Sequence, residues 1–322
     1  MGQFMKPFAF VFPGQGSQSV GMLDAWGDHP IVVQTLQEAS DALGEDVTAL
    51  IKNGPKEALA LTTNTQPVML VSAVAAYRVW LAETGLVPSV VAGHSLGEYS
   101  ALVASGVLTL AQAAPLVRLR AQAMQDAVPV GQGAMAAILG LDAAKIIAVC
   151  ADITALNVSS GGENGSVQAA NFNDPGQTVI SGSKAAVDAA CEQLKAAGAK
   201  RALILPVSAP FHSQLMRPAA EKLQEALKSV TFAAPQIPVV NNIDVSVQTD
   251  AAAIKDALYR QAFGPVRWVE CVAAIKARGV TTIVECGPGK VLAGLVKRID
   301  AELTGVALFD PASLAEVKAL LS

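Results

Sequence analysis

The sequence predicts an α/β protein with a parallel-sheet large domain and a smaller domain inserted into it. Apolar segments of strand length alternate with helical segments before residue 133 and after residue 207, which is typical of a parallel sheet covered by helices. Between these parts the elements follow the order β-α-β-β-α-β, which is the split βαβ, or ferredoxin-like, arrangement. We therefore predict a discontinuous large domain of residues 1–133 and 207–322 and a small domain of residues 134–206.

The first part of the large domain contains two buried strands. One strand at residues 8–12 ends at Pro13 and leads into the glycine-containing loop 13–17, and a second apolar strand lies at residues 89–92. Helices are predicted at residues 30–43, 67–82, 98–104 and 110–127. Short, uninterrupted apolar strands between helices are typical of a parallel sheet that is buried on both faces.

The rhythm of the elements changes after Gly131-Gln132-Gly133. In the small domain, strands are expected at residues 134–140, 166–171, 178–181 and 201–207, and helices at residues 143–152 and 184–197. The large domain then resumes with a helix at 221–227 and strands at 239–240 and 281–285. The last strand leads into Gly287-Pro288-Gly289-Lys290, which we interpret as a strand-to-helix turn because the full phosphate-loop pattern is missing. Contact of this turn with a substrate phosphate is the alternative.

The composition favours a large packed core and argues against nucleic acid and membranes as partners. Hydrophobic residues make up 52% of the 322 residues and charged residues only 16%, so most of the chain should pack. The net charge of −4 argues against a general nucleic-acid binder, which needs a strongly basic surface. The longest apolar segment, residues 68–76, is too short to span a membrane. We expect neither nucleic acid nor membrane as a partner.

The cysteines point to a reducing compartment. The chain has four of them, with no C-x-x-C pair and no histidine at metal-ligand spacing, so neither a disulfide framework nor a metal site is expected. The apolar run at residues 8–12 is too short for the core of a signal peptide. The expected location is therefore cytoplasmic.

Gly93-His94-Ser95-Leu96-Gly97 is the most informative segment of the sequence. It matches the G-x-S-x-G pattern and lies between a predicted strand and a predicted helix, which is the setting of a nucleophile elbow. The tight turn strains the serine backbone and requires small residues two positions before and after it. The hydroxyl projects at the start of a helix, where backbone N–H groups stabilise negative charge. The alternative is a tight connection with a buried, unreactive serine.

A nucleophilic serine needs a base, and the chain has three histidines. His94 adjoins Ser95, and neighbouring side chains in an elbow diverge, while His29 lies at a predicted helix start. His212 lies in a loop just after a strand, and loops on a rigid scaffold commonly carry catalytic side chains. We predict that His212 is the base, with a surface or domain-junction histidine as the alternative.

The chain order of these two residues, serine before histidine, is that of α/β-hydrolases. The large domain is therefore expected to be α/β-hydrolase-like. In those enzymes an acidic residue orients the histidine, but no aspartate or glutamate stands out here. A backbone carbonyl is the alternative group that could hold the imidazole tautomer.

Several segments along nearly the whole chain form a recognisable pattern. They are Phe12-Pro13-Gly14-Gln15-Gly16-Ser17-Gln18, Gly93-His94-Ser95-Leu96-Gly97-Glu98-Tyr99, Arg118-Leu119-Arg120, residues 171–182, Phe211-His212-Ser213 and Val284-Glu285-Cys286-Gly287-Pro288-Gly289-Lys290. In content and order they resemble the malonyl-CoA:acyl carrier protein transacylases of bacterial fatty-acid synthesis. That family is related to the acyltransferase domains of polyketide and fatty-acid synthases.

The resemblance implies a role for five residues of the acyl-transfer site. Ser95 is the acylated nucleophile and His212 is its base. The backbone N–H groups of Gln15 and Leu96 form the oxyanion hole. The backbone carbonyl of Gln261 orients the histidine in place of an aspartate, which fits the missing acid.

The resemblance also implies that Arg120 binds the malonyl carboxylate. A guanidinium matches a carboxylate with two parallel hydrogen bonds. Arg118 lies two residues away and faces a different side of the helix, so at most one arginine should line the cleft. Without the resemblance, both would be taken as solvent-facing. Asn171 is a weaker candidate for a substrate contact.

The implied substrates are malonyl-CoA and the pantetheine thiol of acyl carrier protein, with no cofactor. The expected mechanism is a two-step transfer through malonyl-Ser95 with ping-pong kinetics. Phe211 resembles the malonyl-selecting version of its loop in related domains, but methylmalonyl transfer stays open. The other functions that remain open are a serine hydrolase or thioesterase and a catalytically silent carrier-binding subunit.

Docking of an acidic carrier protein would need local basic residues. Two groups are candidates, with ordinary solvated helix faces as the alternative. They are Lys290, Lys297 and Arg298, and separately Lys195, Lys200 and Arg201.

Overall fold

The structure is a computed structural model that describes residues 6–159 and 165–322. Its strands are β1 (Phe8–Phe12), β2 (Val90–Gly93), β3 (Gly133–Leu139), β4 (Val167–Asp174), β5 (Gln177–Ser183), β6 (Arg201–Ile204), β7 (Val239–Val240), β8 (Thr282–Cys286) and β9 (Thr304–Leu308). Residues 1–5 of the predicted large domain and residues 160–164 of the predicted small domain lie outside the described residues.

The helices surround two sheets. They are α1 (Pro30–Leu43), α2 (Val47–Asn53), α3 (Lys56–Ala60), α4 (Thr62–Thr84), α5 (Gly97–Ala104), α6 (Leu110–Asp126), α7 (Ala143–Ser159), α8 (Lys184–Ala196), α9 (Arg217–Lys228), α10 (Ala251–Phe263), α11 (Trp268–Lys276), α12 (Val291–Ile299) and α13 (Pro311–Leu321).

The two sheets differ in strand direction. The larger is parallel, with strand order β7-β2-β1-β8-β9. The smaller is antiparallel, with strand order β4-β5-β3-β6, and its elements follow the sequence β3-α7-β4-β5-α8-β6. The predicted α/β class with an inserted ferredoxin-like unit is confirmed. The boundaries 1–133, 134–206 and 207–322 stay a proposal.

Strand β1 explains why the large sheet is buried on both faces. Because side chains alternate along a strand, its three phenylalanines share one face while Ala9 and Val11 share the other. The Phe10 ring lies 5.9 Å from the Tyr77 ring and 5.5 Å from the Trp80 ring of α4, both edge-to-face. The alanine and valine belong to a second core on the α11 and α12 side. Each fully buried phenylalanine side chain contributes about 1.5–3 kcal/mol.

Most predicted elements occur, with shifted boundaries. Helix α4 begins at Thr62, before the predicted start at Pro67, although a proline favours the first turn of a helix. Helix α7 is also longer than the predicted 143–152. The elements that were not predicted are α2, α3, α10, α11, α13 and β9.

The topology brings the carboxyl ends of the parallel strands to one edge. The loop after β1, the elbow after β2 and the segment after β7 follow neighbouring strands of the sheet. In open α/β sheets this edge is where ligands bind. The candidate residues of the first two loops therefore meet there.

Candidate active site

The elbow between β2 and α5 is as tight as its sequence predicts. Ser95 has φ 53°, in the left-handed region that non-glycine residues rarely occupy. A Cβ on Gly93 would lie 1.9 Å from the Gly97 carbonyl carbon and oxygen, and one on Gly97 would lie 2.0 Å from the Phe12 carbonyl oxygen. Only glycine fits either position, so the sterics of the turn explain both glycines of the motif.

Ser95 and His212 are in direct contact, although 117 positions separate them. Ser95 Oγ lies 2.6 Å from His212 Nε2. On the other side of the ring, Nδ1 lies 2.9 Å from the Gln261 carbonyl oxygen and 3.2 Å from the Gly264 carbonyl oxygen. Because carbonyl oxygens only accept, Nδ1 carries the proton and the Nε2 lone pair faces the serine. The sequence analysis missed Gly264.

The environment of His212 keeps its imidazole neutral. Burial, and then the positive charge of Arg120, lower the pKa of His212 to about 3. The described residues place no carboxylate against the ring. At neutral pH the ring is therefore free to accept a proton, and the carbonyls of Gln261 and Gly264 fix its orientation.

Arg120 is a buried cation with neutral partners. Its Nη1 donates to Gln66 Oε1 at 2.6 Å, and its Nη2 donates to Gln261 Oε1 at 3.1 Å and to Ser95 Oγ at 3.3 Å. The guanidinium carbon lies 5.5 Å from the centre of the Tyr99 ring. Within the described ranges no acidic side chain forms an ion pair with it. Such an unpaired cation beside the serine is suited to bind a carboxylate.

Arg118 faces away from this site. Its Nη2 donates to Glu45 at 2.6 Å, and its Nη1 donates to Asn64 at 3.2 Å. Only Arg120 of the two arginines lines the pocket. The expectation that at most one of them lines the cleft is therefore met.

Gln15 and Leu96 both line the pocket beside the serine. In the described part of the chain, neither backbone N–H donates to a protein acceptor. The Gln15 side chain accepts a hydrogen bond from Thr62 Oγ1 at 2.8 Å, which fixes the loop. A Cβ on Gly14 would lie 2.7 Å from the His94 carbonyl oxygen, so the loop packs closely on the elbow. Two free donors next to a nucleophile can stabilise an oxyanion.

The pocket lies between the two sheets and has two unlike walls. The polar wall comes from the large-sheet part and consists of Gln15, Gln66, His94, Ser95, Arg120 and His212. The apolar wall consists of Leu96, Met124, Met135, Val179, Leu205, Val207 and Phe211, and it is joined by Asn171 and Asn173 from β4. Asn171 therefore lies at the pocket, as expected.

The other two histidines do not contact Ser95. His94 Nε2 lies 2.8 Å from Asn173 Oδ1, and burial lowers the pKa of His94. His29 accepts from a backbone N–H at the start of α1 and lies 3.3 Å from Glu83. Elimination among the histidines thus leads to the one that the structure places against the serine.

A polar group beneath the elbow was missed by the sequence analysis. Asn242 Oδ1 accepts from the Ser95 N–H at 2.8 Å, and its Nδ2 donates to the Gly93 carbonyl at 2.7 Å. Glu98 Oε2 accepts from the Asn242 N–H at 2.9 Å and from Gln261 Nε2 at 3.0 Å. Burial raises the pKa of Glu98 to about 7. The only local signal was a carboxylate in the otherwise uncharged α5.

The remaining predicted segments lie outside the pocket. Gly287 and Gly289 have φ values of 127° and 92° in the turn from β8 to α12. Lys290 Nζ lies 4.8 Å from the centre of the Phe309 ring. In the first basic group, Arg298 pairs with Asp174 at 3.0 Å, which leaves less of its charge for a partner.

The described residues show neither a metal cluster nor a membrane-spanning helix. There, no cluster of three or more His, Cys, Asp or Glu side chains is arranged to hold a metal ion. No helix in residues 6–159 or 165–322 combines the length and apolar character needed to cross a bilayer.

The amino-acid sequence is similar to those of known proteins over nearly its whole length. Residues 9–306 match the model of a family described as the acyl transferase domain. The chain is 54% identical over 312 residues to a malonyl CoA-acyl carrier protein transacylase from Salmonella typhimurium, covering 97% of this chain and 98% of the relative. It is 45% identical to the protein of that name from Bacillus subtilis, covering 96% of each chain.

Solved structures of similar proteins share the fold of this chain. An acyl-carrier-protein S-malonyltransferase from Burkholderia pseudomallei is 62% identical, with a TM-score of 0.93 over 97% of this chain and 99% of that one. A malonyl-transacylase solved in complex with a type II polyketide acyl carrier protein is 50% identical, with a TM-score of 0.93 over 98% of this chain and 99% of that one.

Proposed function

This chain belongs to the acyl transferase domain family, and we propose that it transfers a malonyl group from coenzyme A to acyl carrier protein. One observation carries the proposal. A serine in an elbow contacts a neutral histidine at 2.6 Å and lies 3.3 Å from a buried arginine that forms no ion pair with an acidic side chain of the described residues. Nucleophile, base and carboxylate receptor are thus within reach of one short acyl group.

The first half-reaction forms malonyl-Ser95. The Ser95 hydroxyl attacks the thioester carbonyl, and its proton passes to His212 Nε2. The tetrahedral intermediate collapses, the C–S bond breaks, and the protonated histidine returns the proton to the coenzyme A thiolate. The Nδ1–H bonds to the Gln261 and Gly264 carbonyls hold the ring throughout. They take the place of the acid in a Ser-His-Asp triad.

We assign the oxyanion to the backbone N–H groups of Gln15 and Leu96. Leu96 directly follows the nucleophile and precedes α5, and the Gln15 loop comes from another strand, as in elbow enzymes. Their freedom from protein acceptors in the described residues supports this role. One such donor is worth about 3–4 kcal/mol in the transition state.

We assign the malonyl carboxylate to Arg120. The guanidinium keeps hydrogen bonds to Gln66 and Gln261 that fix its plane. A substrate carboxylate can form a direct ion pair with Arg120, so a malonyl group is favoured over an uncharged acetyl group. The same ion pair anchors the far end of the acyl group and aligns its thioester with Ser95.

The second half-reaction moves the malonyl group to the carrier. The pantetheine thiol of acyl carrier protein gives its proton to His212 and attacks the Ser95 ester, and the released serine oxygen is then reprotonated. Both steps use only protein groups and substrate thiols, so we propose that no cofactor takes part. The cytoplasmic location and the carrier-docking residues stay predictions.

The test is to incubate the protein with malonyl-CoA, record its intact mass and map the modified peptide. The expected result is a single malonyl adduct on Ser95 that disappears when acyl carrier protein with a pantetheine thiol is added. The Ser95→Ala variant should form no adduct. If Ser95→Ala forms the malonyl adduct to the same extent as the parent protein, the assignment of Ser95 as the nucleophile is refuted.

The same experiment separates the other functions. Loss of the adduct in buffer without a thiol, at the rate seen with carrier protein, would identify a hydrolase or thioesterase. Failure to release coenzyme A from malonyl-CoA would identify a silent carrier-binding subunit.

A further inference from the structure

The nucleophile is held in a backbone conformation that its own residue type disfavours. A non-glycine residue in the left-handed region costs on the order of 1–3 kcal/mol and persists only where its surroundings enforce it. Ser95 has φ 53°, and its hydroxyl must nevertheless point at His212. The contacts of the elbow backbone therefore identify what enforces the conformation.

Asn242 spans the elbow from below. Its Oδ1 accepts from the Ser95 N–H at 2.8 Å, and its Nδ2 donates to the Gly93 carbonyl at 2.7 Å. One amide thus binds both sides of the turn, and this side chain is fully buried. The topology explains the placement. Val240 of β7 pairs with Ala92 of β2. The segments that follow these two residues, which carry Asn242 and the elbow, therefore lie side by side.

Glu98 and Gln261 hold Asn242 and the serine from the other side. Glu98 Oε2 accepts from the Asn242 backbone N–H at 2.9 Å and from Gln261 Nε2 at 3.0 Å. Gln261 Nε2 also donates to the Ser95 carbonyl at 3.0 Å. Both backbone groups of the nucleophile are therefore bound by side chains from distant parts of the chain. Glu98 is 2% exposed, so water does not compete for these bonds.

We propose that Asn242, anchored by Glu98, is a positioning residue that fixes the Ser95 backbone so that the hydroxyl faces His212. The inference rests on the proposed function, because it concerns the rate at which Ser95 is acylated. Asn242 does not line the pocket, and its side chain binds backbone atoms of the elbow rather than the Ser95 hydroxyl. Its effect acts through the direction of Oγ and of the Leu96 N–H next to it.

The experiment compares two neighbouring asparagines. Asn242→Ala removes the two bonds to the elbow. Asn241→Ala is the matched control, since Asn241 is also buried and makes bonds of the same kind, to the Asp244 N–H at 2.7 Å and the Ser246 carbonyl at 3.1 Å, within its own loop. The rate of malonyl-enzyme formation is measured by rapid quench with labelled malonyl-CoA, together with the substrate dissociation constant and the melting temperature.

We expect Asn242→Ala to lower the acylation rate without changing the affinity for malonyl-CoA. In Asn242→Ala the acylation rate falls by about 100-fold, which is typical of a displaced reacting group. Its dissociation constant for malonyl-CoA stays near the parent value, because Arg120 keeps its bond to Gln66. In Asn241→Ala the melting temperature falls and the acylation rate of the folded protein stays at the parent value.

Three further variants guard against loss of folding and test the role of Glu98 as the anchor. Asn242→Ser is a smaller change that cannot reach both sides of the turn, and it should lower the acylation rate in the same way. Glu98→Gln retains an oxygen that can accept from Asn242 and should keep the parent rate. Glu98→Ala removes that acceptor and should lower the rate without changing malonyl-CoA affinity.

The outcomes separate the inference from the function beneath it. Equal acylation rates in the Asn242 and Asn241 variants, or a parent rate in Asn242→Ser, overturn the positioning role while the function stands. Absence of any malonyl-enzyme in the parent protein overturns the proposed function instead.

Discussion

The two walls of the pocket are held in place by different forces. On the polar wall, Ser95, His212 and Arg120 each have hydrogen bonds that fix their direction. On the apolar wall, Met135 and Val179 are side chains of the small sheet that pack into the core. Bond formation depends on angles and distances, which hydrogen bonds control. Exclusion of a wrong acyl group depends on volume, which packing controls.

Polar links nevertheless cross the pocket at strand β4. Asn173 of this strand lies 2.8 Å from His94 beside the nucleophile. Gln168 donates to the His212 carbonyl at 3.2 Å and accepts from the Gln214 N–H at 3.0 Å. His212 has φ 58°, so β4 helps to hold a strained residue. The small sheet thus supports the base loop as well as closing the pocket.

The largest expected effect is on the polar wall, at the base. His212→Ala should lower the rate of malonyl-enzyme formation by about 10²–10⁴-fold, the usual contribution of a general base. His29→Ala is the control, because His29 lies at the start of α1 and contacts Glu83 on the surface. Rapid-quench acylation checks both variants. Equal rates for the two would remove His212 from the mechanism.

The next effect tests the charge on the polar wall. Arg120→Ala should lower kcat/KM for malonyl-CoA by about 100-fold, the scale of a lost charged hydrogen-bond pair, and should affect acetyl-CoA far less. Arg118→Ala keeps Arg120 in place and should leave kcat/KM unchanged for both substrates. Steady-state rates with both thioesters provide the measurement. Equal losses for malonyl-CoA and acetyl-CoA would contradict the carboxylate role.

A smaller effect is expected on the apolar wall. Met135→Ala enlarges the pocket from the small-sheet side, so the ratio of methylmalonyl to malonyl transfer should rise by about 10-fold, as one methyl group is discriminated only weakly. Met216→Ala, a buried methionine that does not line the pocket, is the matched truncation. A competition assay with both thioesters measures the ratio. An equal change in the two variants would separate Met135 from selectivity.

The features that could be predicted from the sequence are those that depend on residues close together in the chain. The elbow is encoded locally, because Gly93 and Gly97 are required by sterics within a few residues of Ser95. The strand–helix alternation likewise predicts the two sheets. His212 followed from elimination among three histidines, and its distance from the serine is set by the fold. The role of Arg120 was predicted only from the resemblance to the family, because a charged residue on a helix would otherwise be expected on the surface.

The groups that hold the elbow had no comparable local signal. Asn242 and Gln261 lie 147 and 166 positions from Ser95, in a polar loop and at the end of an unpredicted helix. Their contacts arise only when β7 pairs with β2 and α10 packs beneath the elbow. A single sequence gives residue types and periodicity, but not which of many amides will face a given backbone N–H.

The smallest effect concerns the stability of the polar wall and its dependence on pH. Burial raises the pKa of Glu98 to about 7, and Asp244 adds to this while Asn242, Gln261 and Arg120 oppose it. An acid whose pKa is higher in the folded state than in the unfolded state destabilises the fold when it ionises. The destabilisation therefore appears as the pH rises above about 4.5 and is complete above about 7.

Glu98→Gln removes this ionisation and keeps the acceptor. The variant should melt a few degrees higher than the parent at pH 8 and at nearly the same temperature at pH 5. Glu285, whose pKa burial also raises to about 7, is present in both proteins, so the difference between them isolates Glu98. A difference that is the same at both pH values would show that Glu98 does not ionise in this range. A difference that grows with pH would mean that the polar wall gains its fixed geometry at the expense of stability, which the apolar wall does not.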